Sequence, residues 1–260
     1  MKWRLGVAGF PIEHSLSPRL HEAGLALAGL EGTSSRLELR EEDAPLLGEL
    51  MGARFDALSV TMPLKFAALE ICDSLDEVSQ RTGVVNSLLA RDGQILGACT
   101  DGLGFLGALR AEFAVSLEGA RTVVLGAGGA ARGIVDALVQ AGVESVSVYA
   151  RTPSKVALLV DRYENVFSHD RAPSEIDLIV NTTPLAARDD EGRLLEGTGV
   201  ATLCVDITYE PRMSQWRALY EQIGCRSTNG LGMLAYQAAL QMQWWWGTRI
   251  DAAALLRVIS

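Results

Sequence analysis

The stretch Thr122-Val-Val-Leu-Gly-Ala-Gly-Gly-Ala-Ala-Arg-Gly133 constrains this chain more than any other. Residues 122–125 form a β-branched and apolar run with the character of a buried parallel strand. Gly126, Gly128 and Ala131 fit the three small positions of a strand–turn–helix phosphate loop. The first makes the tight turn, the second lets a pyrophosphate approach the backbone, and the third allows close helix–strand packing. Residues 130–141 continue as an apolar-rich helix stopped by Gly142, so the helix N-terminus faces the phosphates. A second strand, 146–149, ends just before Arg151. An acid at that place binds a ribose 2′-hydroxyl, whereas a guanidinium suits a 2′-phosphate. Strand, helix, strand and arginine in this order point to a dinucleotide-binding unit that takes NADP, with Lys155 as a second charge in the next helix.

That unit occupies only part of the chain, and 260 residues suffice for two modest domains. Alternating short strands and helices imply an α/β architecture with mainly parallel sheets. In the first hundred residues, 4–8, 34–39 and 57–60 read as strands, and 18–28 and 44–51 as helices. Residues 87–91 and 94–97, joined by Asp92-Gly93, carry a strong hairpin signal. A helix over 102–113 leaves this domain. Thr152-Pro153 reads as a helix start, with a threonine N-cap and proline at the first helical position. Strands at 178–181 and 202–205 and a helix over 213–223 follow. The final helical regions, 231–246 and 251–259, are not needed to finish a dinucleotide sheet and are expected to return to the first domain. The expected division is therefore 1–101 with 231–260, and 102–230, with a cleft between the two.

A net charge of −9 argues against nucleic acid or an anionic membrane as partner, so an anionic ligand must be held by local donors. No stretch approaches the ~20 apolar residues that span a bilayer. The run from Met1 to Phe10 is too short for a signal peptide and meets Pro11 at once, so the cytoplasm is the expected compartment. Cys72, Cys99, Cys204 and Cys225 form no Cys-x-x-Cys pair, and the histidines stand at 14, 21 and 169. No metal site is expected; reduced, partly buried thiols are.

Four segments of the first domain and one of the last helix carry the candidate chemistry. In Pro11-Ile-Glu-His-Ser-Leu-Ser-Pro18, Ser15 and Ser17 are two apart, and in extended backbone both hydroxyls point to one side. They hold a carboxylate, or Ser17 caps the helix that starts at Pro18; spacing leaves both open. His14 reads as structural. In Ser59-Val-Thr-Met-Pro-Leu-Lys65, Thr61 and Lys65 lie at the carboxyl end of a parallel strand, where ligands bind. A lone lysine at a helix start is ordinarily a solvated charge. Asp101, before the helix at 102, reads by itself as an N-cap. If the two meet, they form an acid–base device in which the aspartate orients the ammonium and the lysine moves a proton. Asn86 either bonds a substrate hydroxyl or satisfies backbone groups. Met233 and Gln237 share one face of the last helix; the methionine reads as core, and the amide calls for a partner. Trp244, Trp245 and Trp246 sweep about 200° of helix surface and do not share one face.

Taken in order, these segments resemble the shikimate dehydrogenase family over nearly the whole chain. Gly9 to Pro18 is similar to its serine-bearing substrate motif, Val60 to Lys65 to its catalytic-lysine motif, and Gly83-Val-Val-Asn86 to its substrate asparagine. Thr100-Asp101 is similar to the catalytic-aspartate segment, Gly126 to Ala130 to the phosphate loop, Arg151-Thr152 to the 2′-phosphate clamp, and Gly230 to Gln237 to the closing helix. The resemblance implies an N-terminal substrate domain, a Rossmann-like NADP domain and C-terminal helices that return to the first. It implies reversible reduction of 3-dehydroshikimate to shikimate with NADPH, with Lys65 and Asp101 as the acid–base pair. Ser15, Ser17, Thr61, Asn86, Asp101, Tyr209 and Gln237 would contact substrate. Gly126, Ala127, Gly128, Gly129, Ala130, Arg151, Thr152, Lys155, Ile207, Gly230 and Met233 would line the cofactor. A small-molecule substrate is the implied partner, and a homodimer is the assembly left open. Ser59 and Cys99 stand where asparagines are usual, Ser87 where threonine is usual and Ala150 where asparagine precedes the arginine, while Met213-Ser-Gln-Trp216 replaces a Thr-Pro stretch. The family also includes paralogues that take quinate or use NAD.

Overall fold

The computed structural model describes residues 2–168, 173–183 and 196–260, so His169 lies outside the described residues. Two compact units make up the chain, Met1–Ala108 with Met233–Ser260, and Leu109–Gly232. The divisions fall within helices α5 (Asp101–Phe113) and α9 (Leu231–Trp246).

The first unit is built on a six-stranded sheet in the order β2-β1-β3-β5-β6-β4. Its strands are β1 (Lys2–Gly9), β2 (Glu31–Glu38), β3 (Ala57–Val60), β4 (Ser74–Leu75), β5 (Ser87–Arg91) and β6 (Gln94–Ala98). β2 and β3 flank β1 in parallel, while β5 is antiparallel to both β3 and β6. The hairpin turns at Asp92 and Gly93, both at positive φ, which suits the aspartate–glycine pair found there. This arrangement brings the carboxyl ends of β1, β3 and β6 and the start of β5 to one edge of the sheet. Ser59 pairs with Ser87, and Ser87 with Ala98, at that edge. Helix α1 (Ser17–Ala28) packs on β2 and on α10 (Ala252–Ile259). Ala8, Leu47, Leu58, Leu64, Val85 and Leu88 belong to one hydrophobic core in this unit.

β2 starts at Glu31 rather than at residue 34, because its polar first residues gain a full ladder with Lys2 to Arg4. As an edge strand exposed on much of its surface, it shows little hydrophobic alternation in that stretch. β4 and the short helices α3 (Ala67–Glu70) and α4 (Glu77–Thr82) carried no periodic signal long enough to read. α2 is only Leu46–Leu50, preceded by a 3₁₀ turn, Glu41–Asp43.

The second unit has an all-parallel six-stranded sheet ordered β12-β11-β10-β7-β8-β9. The strands are β7 (Arg121–Leu125), β8 (Ser145–Tyr149), β9 (Val166–Ser168), β10 (Leu178–Asn181), β11 (Leu203–Asp206) and β12 (Arg226–Thr228). Read from the other edge, this is the doubly wound 3-2-1-4-5-6 order, which opens a crevice where β7 meets β10. β7, β10 and β11 are almost wholly buried, as a sheet covered on both faces requires. Helix α6 (Gly129–Gln140) connects β7 to β8, α7 (Pro153–Val160) β8 to β9, and α8 (Gln215–Gln222) β11 to β12. β9 and β12, three residues each, were too short to anticipate. α8 starts at Gln215 because Ser214 caps it, accepting the Arg217 N–H; Met213 lies outside the helix. Among the described residues no helix is long and apolar enough to cross a membrane.

Candidate active site

Lys65 lies in the turn after β3, where the Leu64 N–H bonds to the Thr61 carbonyl. Its side chain is only 12% exposed, unlike a solvated surface charge, and its ammonium lies 2.5 Å from Asp101 Oδ2. Asp101 is the first residue of α5, not the residue before it, and its side chain is 5% exposed. Its second oxygen is engaged too, accepting from Asn86 Nδ2 at 2.9 Å. Both oxygens of the carboxylate are thus committed to the site.

Asn86 is the hub. Its Nδ2 also lies 3.1 Å from Thr100 Oγ1 and 3.2 Å from Gln237 Oε1, and its Oδ1 accepts the Thr100 N–H at 2.9 Å. Gln237, 7% exposed, donates its Nε2 to the Leu234 carbonyl, and its own backbone carbonyl accepts from the Thr100 hydroxyl. α9 comes this close because α5 has glycine at the crossing. A Cβ on Gly104 would fall against the Gln237 backbone, and one on Gly107 against the Tyr236 ring. Lys65, Asn86, Asp101 and Gln237, four residues scattered over the sequence, are therefore one hydrogen-bonded group.

Thr61 stands at the same sheet edge, packed so closely on Gly9 that a side chain there would meet its methyl group. Ser15 and Ser17 follow β1 at this edge, but not as the spacing suggests. Leu16 lies in the helical region (φ −86°, ψ −5°), so the serines do not share an extended segment. Ser17 is no N-cap either; it is the buried first residue of α1. Ser15 Oγ instead accepts the Ser17 N–H at 3.3 Å, and Arg36 clamps the Ser15 carbonyl at 2.6 and 3.1 Å. His14 is exposed. Cys99, beside Asp101, is buried, and burial first, then the Asp101 charge, pushes its thiol up to about 12, so it remains protonated.

Several members of the site were not anticipated. His21, fully buried, bridges Ser34 Oγ at 2.8 Å and Ser59 Oγ at 2.9 Å. Ser59 donates to Gln241 Oε1 at 2.7 Å, and Gln241 Nε2 donates to the Asn86 carbonyl at 2.9 Å. Gln241 stands four residues after Gln237 on the same helix face, so it is a second amide that calls for a partner. Trp245, fully buried, donates to Ser87 Oγ at 2.8 Å; Trp244 and Trp246 are half-buried.

In the second unit the phosphate loop has the form its sequence implies. Gly126 has φ +111°, and a Cβ there would meet the Thr182 hydroxyl, so the β7–β10 crevice is closed to any side chain at that position. A Cβ on Gly128 would meet nothing within 4 Å. Gly128 is also the N-cap of α6 and provides no side-chain cap, so the leading amides of that helix keep their donors for an anion. Ala127 is buried, while Gly129 and Ala130 are half-buried at the start of α6. Across the crevice, Asn181 Nδ2 is buried with no hydrogen-bond partner. These features fit a bound dinucleotide. Arg151, Thr152 and Lys155 are exposed just beyond β8. Thr152 holds the N-cap position of α7, but its side chain makes no cap bond. Ile207 follows β11, and its carbonyl leaves no room for a side chain on Gly230. Tyr209 lies in the same loop, in the second unit, whereas Met233, buried, belongs to the first. Among the described residues, no three His, Cys, Asp or Glu side chains gather to hold a metal.

Residues 7–88 match the shikimate dehydrogenase substrate binding domain, and residues 108–186 match the shikimate / quinate 5-dehydrogenase family. The NADP(+) shikimate dehydrogenase of Geobacillus kaustophilus is 34% identical, over 98% of this chain and 96% of its own. That of Brucella abortus is 36% identical over 96% and 91%. The crystal structure of the Thermus thermophilus shikimate 5-dehydrogenase, in complex with NADP(H) and shikimate, is 33% identical and superposes with a TM-score of 0.87 over 98% of both chains. With both domains matched and relatives this similar along almost the full length, the chain belongs to the shikimate dehydrogenase family.

Proposed function

We infer that the protein reduces 3-dehydroshikimate to shikimate reversibly, with NADPH as reductant. The observation that carries this reading is the buried Lys65–Asp101 pair at 2.5 Å, in a chain of this family. In the reductive direction the Lys65 ammonium protonates the substrate carbonyl oxygen as it becomes a hydroxyl; in the oxidative direction the neutral amine takes that proton back. Asp101 holds the ammonium in place and, with its other oxygen fixed by Asn86, does not rotate away. Asn86, Gln237, Thr61 and Tyr209 bond substrate hydroxyls, and the Ser15 and Ser17 hydroxyls receive its carboxylate.

NADPH supplies the hydride. Gly126, Ala127, Gly128, Gly129 and Ala130 hold its pyrophosphate at the α6 N-terminus, and Arg151, Thr152 and Lys155 hold the 2′-phosphate. Ile207, Gly230 and Met233 line the remainder. Four free cysteines accord with a cytoplasmic enzyme. Its assembly, monomer or homodimer, is read by light scattering.

The test is an absorbance assay of NADPH oxidation with 3-dehydroshikimate, repeated with NADH and, in reverse, with shikimate and quinate. Turnover of 3-dehydroshikimate with NADPH preferred supports the reading. A preference for quinate, or binding of shikimate without turnover, would overturn it.

A further inference from the structure

Resting on that reading, we propose that Gln241 is a positioning residue for Asn86, acting through a one-way hydrogen-bond relay from Ser34, His21 and Ser59. The polarity of the relay starts from its one acceptor-only member. The Asn86 carbonyl receives Gln241 Nε2 at 2.9 Å, so the Gln241 amide turns its oxygen to Ser59. Ser59 must then donate its only proton to that oxygen, at 2.7 Å. With its proton committed, Ser59 accepts from His21 Nε2–H, and His21 Nδ1 accepts from the Ser34 hydroxyl. The network thus assigns His21 the neutral Nε2–H tautomer. Burial agrees, holding the imidazole pKa at about 3.

The Asn86 carbonyl also accepts the Val60 N–H at 2.7 Å, so β3 and α9 each hold one of its lone pairs. The peptide after Asn86 is fixed by both. On the other side of the same residue, the side-chain amide meets Asp101, Thr100 and Gln237. Gln241 is 1% exposed and touches neither Lys65 nor Asp101 through any of these bonds; its influence on the acid–base pair passes through Asn86. Each side-chain nitrogen and oxygen of His21, Ser59 and Gln241 has a hydrogen-bond partner, and such a buried network favours one geometry.

The test uses Gln241→Leu and Gln241→Glu in the full-length protein, after turnover of the native protein has been measured. Gln241→Leu removes one bond to the Asn86 carbonyl, and KM for 3-dehydroshikimate should rise about tenfold with KM for NADPH unchanged. Hydrogen exchange of the Thr100 amide, which bonds Asn86 Oδ1, should quicken in the same variant. Gln241→Glu donates to the carbonyl only while its carboxyl is protonated. Its KM for 3-dehydroshikimate should therefore rise with pH through an ionisation that the native protein does not show. The Glu variant reads position within one folded protein, so it decides the matter if Gln241→Leu fails to fold. Variants that only melt earlier, with substrate KM, Thr100 exchange and pH profile as in the native protein, would overturn the relay. A native protein that does not turn over 3-dehydroshikimate would overturn the functional reading, while Thr100 exchange would still report on the relay.

Discussion

His21 has an environment that a protonated imidazole does not tolerate. It is fully buried between two hydroxyls, and burial lowers its pKa from 6.5 to about 3. The unfolded chain binds a proton there below 6.5 and the folded chain does not until about pH 3. Stability conferred by the neutral ring is therefore complete above 6.5 and declines as pH falls, by about 1.4 kcal/mol per pH unit once the unfolded form is protonated. Urea midpoints measured from pH 7 to pH 4.5 should fall more steeply for the native protein than for His21→Gln. Parallel curves would show that His21 does not carry this dependence. The serines make a second case. Removing a hydrogen bond to a charged group costs about 1.5–3 kcal/mol, so Ser15→Ala with Ser17→Ala should weaken shikimate binding by at least tenfold in calorimetry. Normal binding with a lower melting temperature would reduce Ser15 to its bond with the Ser17 N–H.

At the scale of elements, the crossing of α5 and α9 decides whether the site forms. Gly104 leaves room for the Gln237 backbone and for nothing larger. Gly104→Ala should destabilise the fold by about 1–3 kcal/mol, as overpacking does, and raise KM for substrate, since α9 carries both Gln237 and Gln241. Denaturant unfolding with steady-state kinetics checks both; an alanine variant with native stability and KM would contradict the crossing. Elements were legible where a period or a turn residue marked them. The β7–α6 loop, the Asp92-Gly93 hairpin and the final helices are of this kind. β4, β9 and β12 were not, because two or three residues hold no period and their ladders come from neighbouring strands. The same holds in the site. Lys65, Asp101 and Asn86 stood out as candidates at element junctions, but by spacing alone the lysine read as a solvated charge and the aspartate as an N-cap; the family resemblance grouped them. Ser59 and His21 did not stand out, because a strand serine and a helix histidine declare a partner only when β3, α1 and α9 are packed together.

The whole molecule joins two sheets of different construction, a mixed one that carries the acid–base pair and a parallel one that carries the phosphate loop. The two are separable by mutation. Arg151→Ala should raise KM for NADPH and abolish the preference over NADH, because the charge-assisted bonds to a 2′-phosphate are lost while those to the pyrophosphate remain. An equal loss with both cofactors would mean that Arg151 serves the adenine rather than the phosphate. In the unit of the other sheet, Lys65 is the proposed proton donor. The most direct measurement is kcat for 3-dehydroshikimate reduction in Lys65→Ala, alongside NADPH affinity from nucleotide fluorescence. kcat should fall about 10²–10⁴-fold with NADPH affinity unchanged; a variant that turns over at the native rate would rule out proton transfer by Lys65.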